Sequence, residues 1–181
     1  MPAVALDRTD RKILDLLQRD GRLTNVELAA RIALSPSPCL RRVRALEKRG
    51  VIREYVALVD PARVGLGLLA FVNVKLEKGG TLPIDDFLSA VQRWPEVIAC
   101  YSMTGDTDYL LRVHVEDLEH YSRFMMNRLL KQPGVIDVKS NFVLERIKDT
   151  TALPLAHLGC ARAGSPAARG PGWLATAGGA R

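Results

Sequence analysis

The sequence predicts an α+β protein, an N-terminal winged helix-turn-helix joined to a C-terminal ferredoxin-like βαββαβ sandwich. Three observations predict it: short capped helical segments in a basic first third, a strand-helix-strand pattern repeated further on, and charge divided between the two. Of the net +6 in 181 residues, residues 1–60 hold +4, residues 61–150 hold −1 and the last 31 hold +3. The length fits one or two compact domains, and 48% hydrophobic residues is enough to bury a core, which excludes a wholly disordered chain. The longest apolar run, Val64 to Val74, is broken by two glycines and an asparagine and falls short of the ~20 residues a membrane helix needs. No membrane partner is expected. No apolar secretory segment follows Asp7 and Asp10, and Cys39, Cys100 and Cys160 form neither a disulfide framework nor a C-x-x-C pair. The expected compartment is the reducing cytoplasm.

The first helix opens at Asp7, carries Ile13, Leu14, Leu16 and Leu17 at helical spacing, and is expected to stop at Gly21. The second opens more strongly. Thr24 and Glu27 make a capping box, Leu23 and Leu28 make the flanking apolar staple, and the helix runs to about Ile32. After Ala33 and Leu34, Ser35 is the expected cap of a third helix with proline in its first turn, ended by Gly50. Cys39, Val43 and Leu46 share one arc of that helix and point inward; Ser37, Arg41, Arg44 and Lys48 share the opposite arc. The inward arc makes Cys39 a small buried hydrophobe rather than a redox sensor. The segment Val51 to Val56 reads as a short strand, a wing carrying Arg53.

Ser35 to Arg53 contains six cations against Glu47 alone, which calls for a polyanion partner. A tight turn followed by a helix with a cationic and hydroxyl face suits a reader of the major groove of double-stranded DNA. Arginine grips guanine bidentately, while lysine, hydroxyls and helix N-termini anchor phosphates. The DNA-facing set is Thr24, Asn25, Ser35, Ser37, Arg41, Arg42, Arg44 and Lys48.

Asp60-Pro61, Gly65 and Gly67 mark a linker over 61–67 between a domain at 1–60 and one at 68–154. The second domain reads as strand Leu68 to Glu77, helix Leu82 to Trp94, strands Val97 to Thr104 and Tyr109 to Glu116 about a Gly105 turn, helix Leu118 to Lys131, and strand Val135 to Leu144. Trp94-Pro95-Glu96-Val97-Ile98 is echoed 38 residues later by Gln132-Pro133-Gly134-Val135-Ile136, so each half is one β-α-β unit. Both helices cover one sheet face, and the open, apolar other face is expected to dimerise.

Four stretches resemble the Lrp/AsnC (leucine-responsive regulator / AsnC) family of transcriptional regulators: Leu6 to Leu14, Arg22 to Ala29, Leu34 to Glu47, and Thr104 to Leu111. Together they place the resemblance over residues 6 to 154. It implies sequence-specific DNA binding, transcription regulation in the cytoplasm at the nucleoid, homodimers that in this family often assemble further into octamers, and a small amino acid, leucine or another apolar one, as effector. Carried over by position, Ser35, Ser37, Arg41 and Arg44 match the recognition helix, and Thr104, Gly105, Asp106, Asp108 and Tyr109 match the effector loop, with Met103 beside it. Such a ligand needs carboxylate acceptors for its ammonium and backbone N–H donors for its carboxylate; Asp106 or Asp108 and the Gly105 turn are of those kinds.

Two other readings compete. An enzyme is disfavoured because His114, His120 and His157 lack metal-binding spacing and no Gly-rich phosphate loop is present. A siroheme-decarboxylase-like subunit shares the fold but has no use for a complete basic helix, and a partner-binding winged helix without DNA contact is separable by salt dependence. No cofactor, metal or catalytic residue is expected, and His120 reads as a surface residue. From residue 155 on, 16 of 27 residues are Ala, Gly or Pro, which predicts a disordered extension beyond the family's usual end near Leu155.

Overall fold

A computed structural model describes residues 5–77 and 82–159. Helix α1 (Arg8–Leu17) begins with a reciprocal cap: Asp7 accepts from the amides of Thr9 and Asp10, and the Asp10 carboxylate accepts from the amide of Asp7. It ends at Leu17, four residues before Gly21, because the Arg19 and Asp20 amides turn back onto the Leu16 carbonyl. Helix α2 (Asn25–Arg31) carries the expected Thr24–Glu27 capping box. Its exit is a Schellman turn in which Leu34 N donates to Ala29 O at 3.0 Å and Ala33 N to Ala30 O at 3.3 Å. That turn puts Ala33, a residue with a Cβ, at φ 57°, where glycine is normally used. Helix α3 (Pro36–Lys48) closes on the same pair of bonds with Gly50 at φ 68°.

The three helices share a core of Ile13, Leu14, Leu28, Ala29, Ile32, Cys39 and Leu46, against which Val43, Val51, Ile52 and Leu155 also pack. Burial of each large side chain is worth roughly 1.5–3 kcal/mol, and Ile13 and Leu46 are fully enclosed. The expected wing strand Val51 to Val56 does not form. Val51 and Ile52 are drawn into the helical core, and residues 53–60 form no strand with any of the described residues. The extension after Leu155 does not begin as loose chain either. Leu155 packs on the core and Ala156–Gly159 form a 3₁₀ turn, while residues 160–181 lie outside the described residues. The segment from Thr150 thereby groups with the chain up to Val56, and residues 57–149 form the second compact unit.

That unit has strands β1 (Leu68–Leu76), β2 (Val97–Ser102), β3 (Tyr109–Val115) and β4 (Val135–Phe142), with helices α4 (Leu82–Val91) and α5 (Leu118–Asn127). The sheet is antiparallel in the order β2-β3-β1-β4, the arrangement that two β-α-β halves give. Both helices are shorter than their periodicity suggests, because each breaks before the repeated proline. The echo is structural: Val97 N donates to Trp94 O at 3.1 Å and Val135 N to Gln132 O at 3.3 Å, the same turn into a strand. Register sends Ala70, Val72, Val74 and Leu76 toward the helices, where they meet Phe87, Phe124 and Leu129. Trp94 stands edge-on to both Phe87 and Phe124. The opposite face is mixed rather than apolar. Phe71 and Leu110 share it with Asn73, Lys75, Arg112 and Lys139, since these alternate with the core positions.

Candidate nucleic-acid interface and effector loop

Helix α3 separates its cations by their neighbours. Arg41, Arg44 and Lys48 are exposed and enter no ion pair among the described residues, and Ser37 is exposed beside them. Arg42, one residue round the helix, is held by its own domain: its Nη1 lies 2.6 Å from Asp7 Oδ2 and 2.8 Å from Asp10 Oδ1. The guanidinium therefore closes the α1 capping box against α3. The amide of Asp10 first, and then Arg42, hold the Asp7 carboxyl below its ordinary range. Of the expected DNA-facing cations, Arg42 is thus the one that two carboxylates already engage.

Thr24 and Asn25 are likewise engaged. The Thr24 hydroxyl donates to Glu27 Oε2 at 2.7 Å, and the Asn25 amide donates to the Pro36 carbonyl at 2.8 Å, tying the start of α2 to the start of α3. Ser35 is the reverse case. It stands at the N-cap of α3, yet its side chain makes no cap bond, which leaves the hydroxyl exposed at the positive end of the helix. Leu40, which the sequence reading passed over, is exposed on the same side of α3; its signal was its spacing from Ser37 and Arg44. Cys39 is fully buried, and burial pushes its thiol up, away from thiolate chemistry.

The hairpin between β2 and β3 is a framed loop. Met103 N donates to Asp108 O at 2.8 Å and Asp108 N to Val74 O at 3.1 Å, while the Asp108 carboxylate accepts from Leu76 N at 2.7 Å. Asp108 therefore pins the loop to the end of β1. Tyr109 turns inward, its ring 5.1 Å from Phe87. Met103, Thr104, Gly105 and Asp106 are exposed, and Gly105 takes φ 114° with open space where a Cβ would stand. The six effector candidates divide into a two-residue frame and a four-residue exposed rim.

A third cluster lies on α5. Glu96, buried at the entry to β2, accepts from Arg128 Nη1 at 2.6 Å, and His120 Nε2 lies 3.4 Å from its other oxygen. His120 is mostly enclosed rather than a surface residue, because the buried carboxylate draws it in. Among the described residues no group of three or more His, Cys, Asp or Glu side chains is placed to hold a metal. No described helix is long and apolar enough to cross a membrane.

These two arrangements coincide with two known domain types. Residues 6–53 match the winged helix-turn-helix DNA-binding model and residues 69–153 match the Lrp/AsnC ligand binding domain. The leucine-responsive regulatory protein of Klebsiella pneumoniae is 44% identical over 152 residues, 84% of this chain and 93% of that protein. A transcriptional regulator of Neisseria meningitidis, solved as a complex with L-methionine, superposes with TM-score 0.82 at 52% identity, over 84% of this chain and 99% of the other. An AsnC-family regulator of Agrobacterium tumefaciens superposes with TM-score 0.79 at 42% identity, over 84% and 99%. The chain belongs to the Lrp/AsnC family and is a DNA-binding transcriptional regulator with an amino-acid ligand-binding domain.

Proposed function

We propose that α3 is the recognition helix, that Ser37, Arg41, Arg44 and Lys48 are its reading face with Ser35 anchoring a phosphate, and that the Met103–Asp106 rim receives the effector. The observation that carries the reading is the contrast along α3: Arg42 is paired inside the domain, while the other three cations enter no ion pair among the described residues. Free guanidinium groups on a major-groove helix serve guanine and phosphate; a cation already paired does not.

The effector is an apolar amino acid such as methionine or leucine, in keeping with the L-methionine complex of the Neisseria relative. Asp106 takes its ammonium and the loop amides its carboxylate, and Met103 lines the side-chain pocket. The chain acts as a homodimer in the cytoplasm, placing two recognition helices about one DNA turn apart, and it carries out no catalysis of its own.

The test is salt titration of binding to a random duplex and to a selected one. A steep negative slope of log affinity against log salt, with a higher plateau for the selected duplex, is expected. A flat response would sink the DNA assignment of α3. For the loop, calorimetry with the twenty amino acids should give heat for a few apolar ones, and a silent set overturns the effector site.

A further inference from the structure

The exposed arc of α3 is not uniformly polar. Leu40 stands on it with 37% of its surface accessible, three residues after Ser37 and four before Arg44, so the three side chains share one helix face. Val43 and Leu46 of the same helix belong to the helical core. Leu40 rims a shallow cleft with Leu17, Leu28, Val43 and Tyr55, and more than a third of its surface stays accessible. A single exposed leucine is ordinary on most surfaces. Here it occupies the N-terminal half of the recognition helix, the part that reaches base edges.

The chemistry of that place selects a partner. Arginine and lysine read guanine and phosphate, and neither marks an A·T pair. In the major groove the apolar group on a base edge is the thymine C5-methyl. We propose that Leu40 is a specificity-determining residue that packs against a thymine methyl next to the base pair read by Arg44. This rests on α3 being the recognition helix. Leu40 adds an apolar contact to a site otherwise recognised through charge, and it makes the half-site a guanine-plus-thymine element. The contact excludes water from one methyl and leaves the number of neutralised phosphates unchanged, so it moves base preference without moving the salt slope.

The experiment starts from a duplex selected on the full-length protein from a random pool. Each thymine of that duplex is then replaced in turn by deoxyuridine, which removes the methyl alone. With the unaltered protein, one position per half-site should lose about fourfold in affinity, the value of one buried methyl group. With Leu40→Ala the same replacement should cost nothing further, while Leu40→Met should keep the discrimination. Log affinity against log salt should have one slope for all three proteins. Equal losses in Leu40→Ala and the unaltered protein, or no thymine-dependent loss in the unaltered protein, overturn the proposal; the second result needs no variant to fold. Arg41→Ala and Arg44→Ala, measured on the same duplex, separate the two ideas. If they weaken binding and Leu40→Ala does not, only the Leu40 contact is wrong. If none of the three weakens it, α3 is not the reading helix and both fall.

Discussion

The side-chain amide of Gln18 binds the backbone of Leu153 in both directions. Leu153 N donates to Gln18 Oε1 at 2.7 Å, and Gln18 Nε2 donates to Leu153 O at 3.3 Å, across 135 residues of sequence. A glutamine at the end of α1 thus does for the segment after Thr150 what a neighbouring strand would do, and Leu155 completes the attachment by packing on the helical core. Gln18→Ala should raise the hydrogen-exchange rate of the Leu153 amide and cost about 1 kcal/mol in stability. Affinity for random DNA should not change, since neither group lies on the α3 face. An unchanged exchange rate at Leu153 would show that Leu155 holds the segment alone.

Arg42 and Arg44 are two residues apart and should behave oppositely. Arg42→Ala strips two carboxylates of their common partner, one of them the nearly buried Asp10, and should lower stability by about 1–2 kcal/mol, because Arg42 is itself partly solvated. Arg44→Ala should leave the melting temperature in place and weaken the selected duplex more than random DNA. Melting curves and binding isotherms on the same two proteins check both halves.

Asp7 makes the stability of the helical domain depend on acid. Its folded pKa lies below the unfolded value of 3.8, chiefly through the Asp10 amide. Its contribution is therefore complete above that value and is lost as pH falls through the folded pKa. Asp7→Asn keeps a competent N-cap but cannot titrate. It should flatten the fall in stability below about pH 4 and leave the profile between pH 5 and 8 unchanged in slope, as denaturant titrations across the range would reveal.

The two loop carboxylates have separate tasks. Asp108→Ala should loosen the hairpin and cost about 1–3 kcal/mol, since the Leu76 amide loses its acceptor. Asp106→Asn should leave the melting temperature unchanged and abolish the calorimetric response to the effector. Retained ligand heat in Asp106→Asn would move the ammonium site elsewhere.

Ala33 holds a left-handed conformation that glycine adopts freely. Ala33→Gly removes a strain of about 1–2 kcal/mol and adds back part of it as unfolded-chain entropy, for an expected net gain of about 0.5–1 kcal/mol. A loss of stability on thermal unfolding would mean that the turn between α2 and α3 needs the methyl group.

Much of this molecule is local, and what is local was legible. The Thr24–Glu27 cap, the Gly50 stop and the inward arc of Cys39 and Leu46 depend on neighbours a few residues away, which a linear chain displays. So does the repeated turn at Trp94 and Gln132, which marked two β-α-β halves. The tertiary structure decided which polar groups are free. Nothing near Arg42 in sequence distinguishes it from Arg41 or Arg44; Asp7 and Asp10 reach it from 35 and 32 residues away. Asp108 is claimed by Leu76 from 32 residues away, His120 is drawn in by Glu96, and the residues after Thr150 are recovered by Gln18. The expected wing strand failed for the same reason, since a strand needs a partner and the helical core had taken Val51 and Ile52. Propensity and capping act over one or two turns of chain, whereas pairing of charges and amides is settled by whichever distant segment folding brings within about 3 Å.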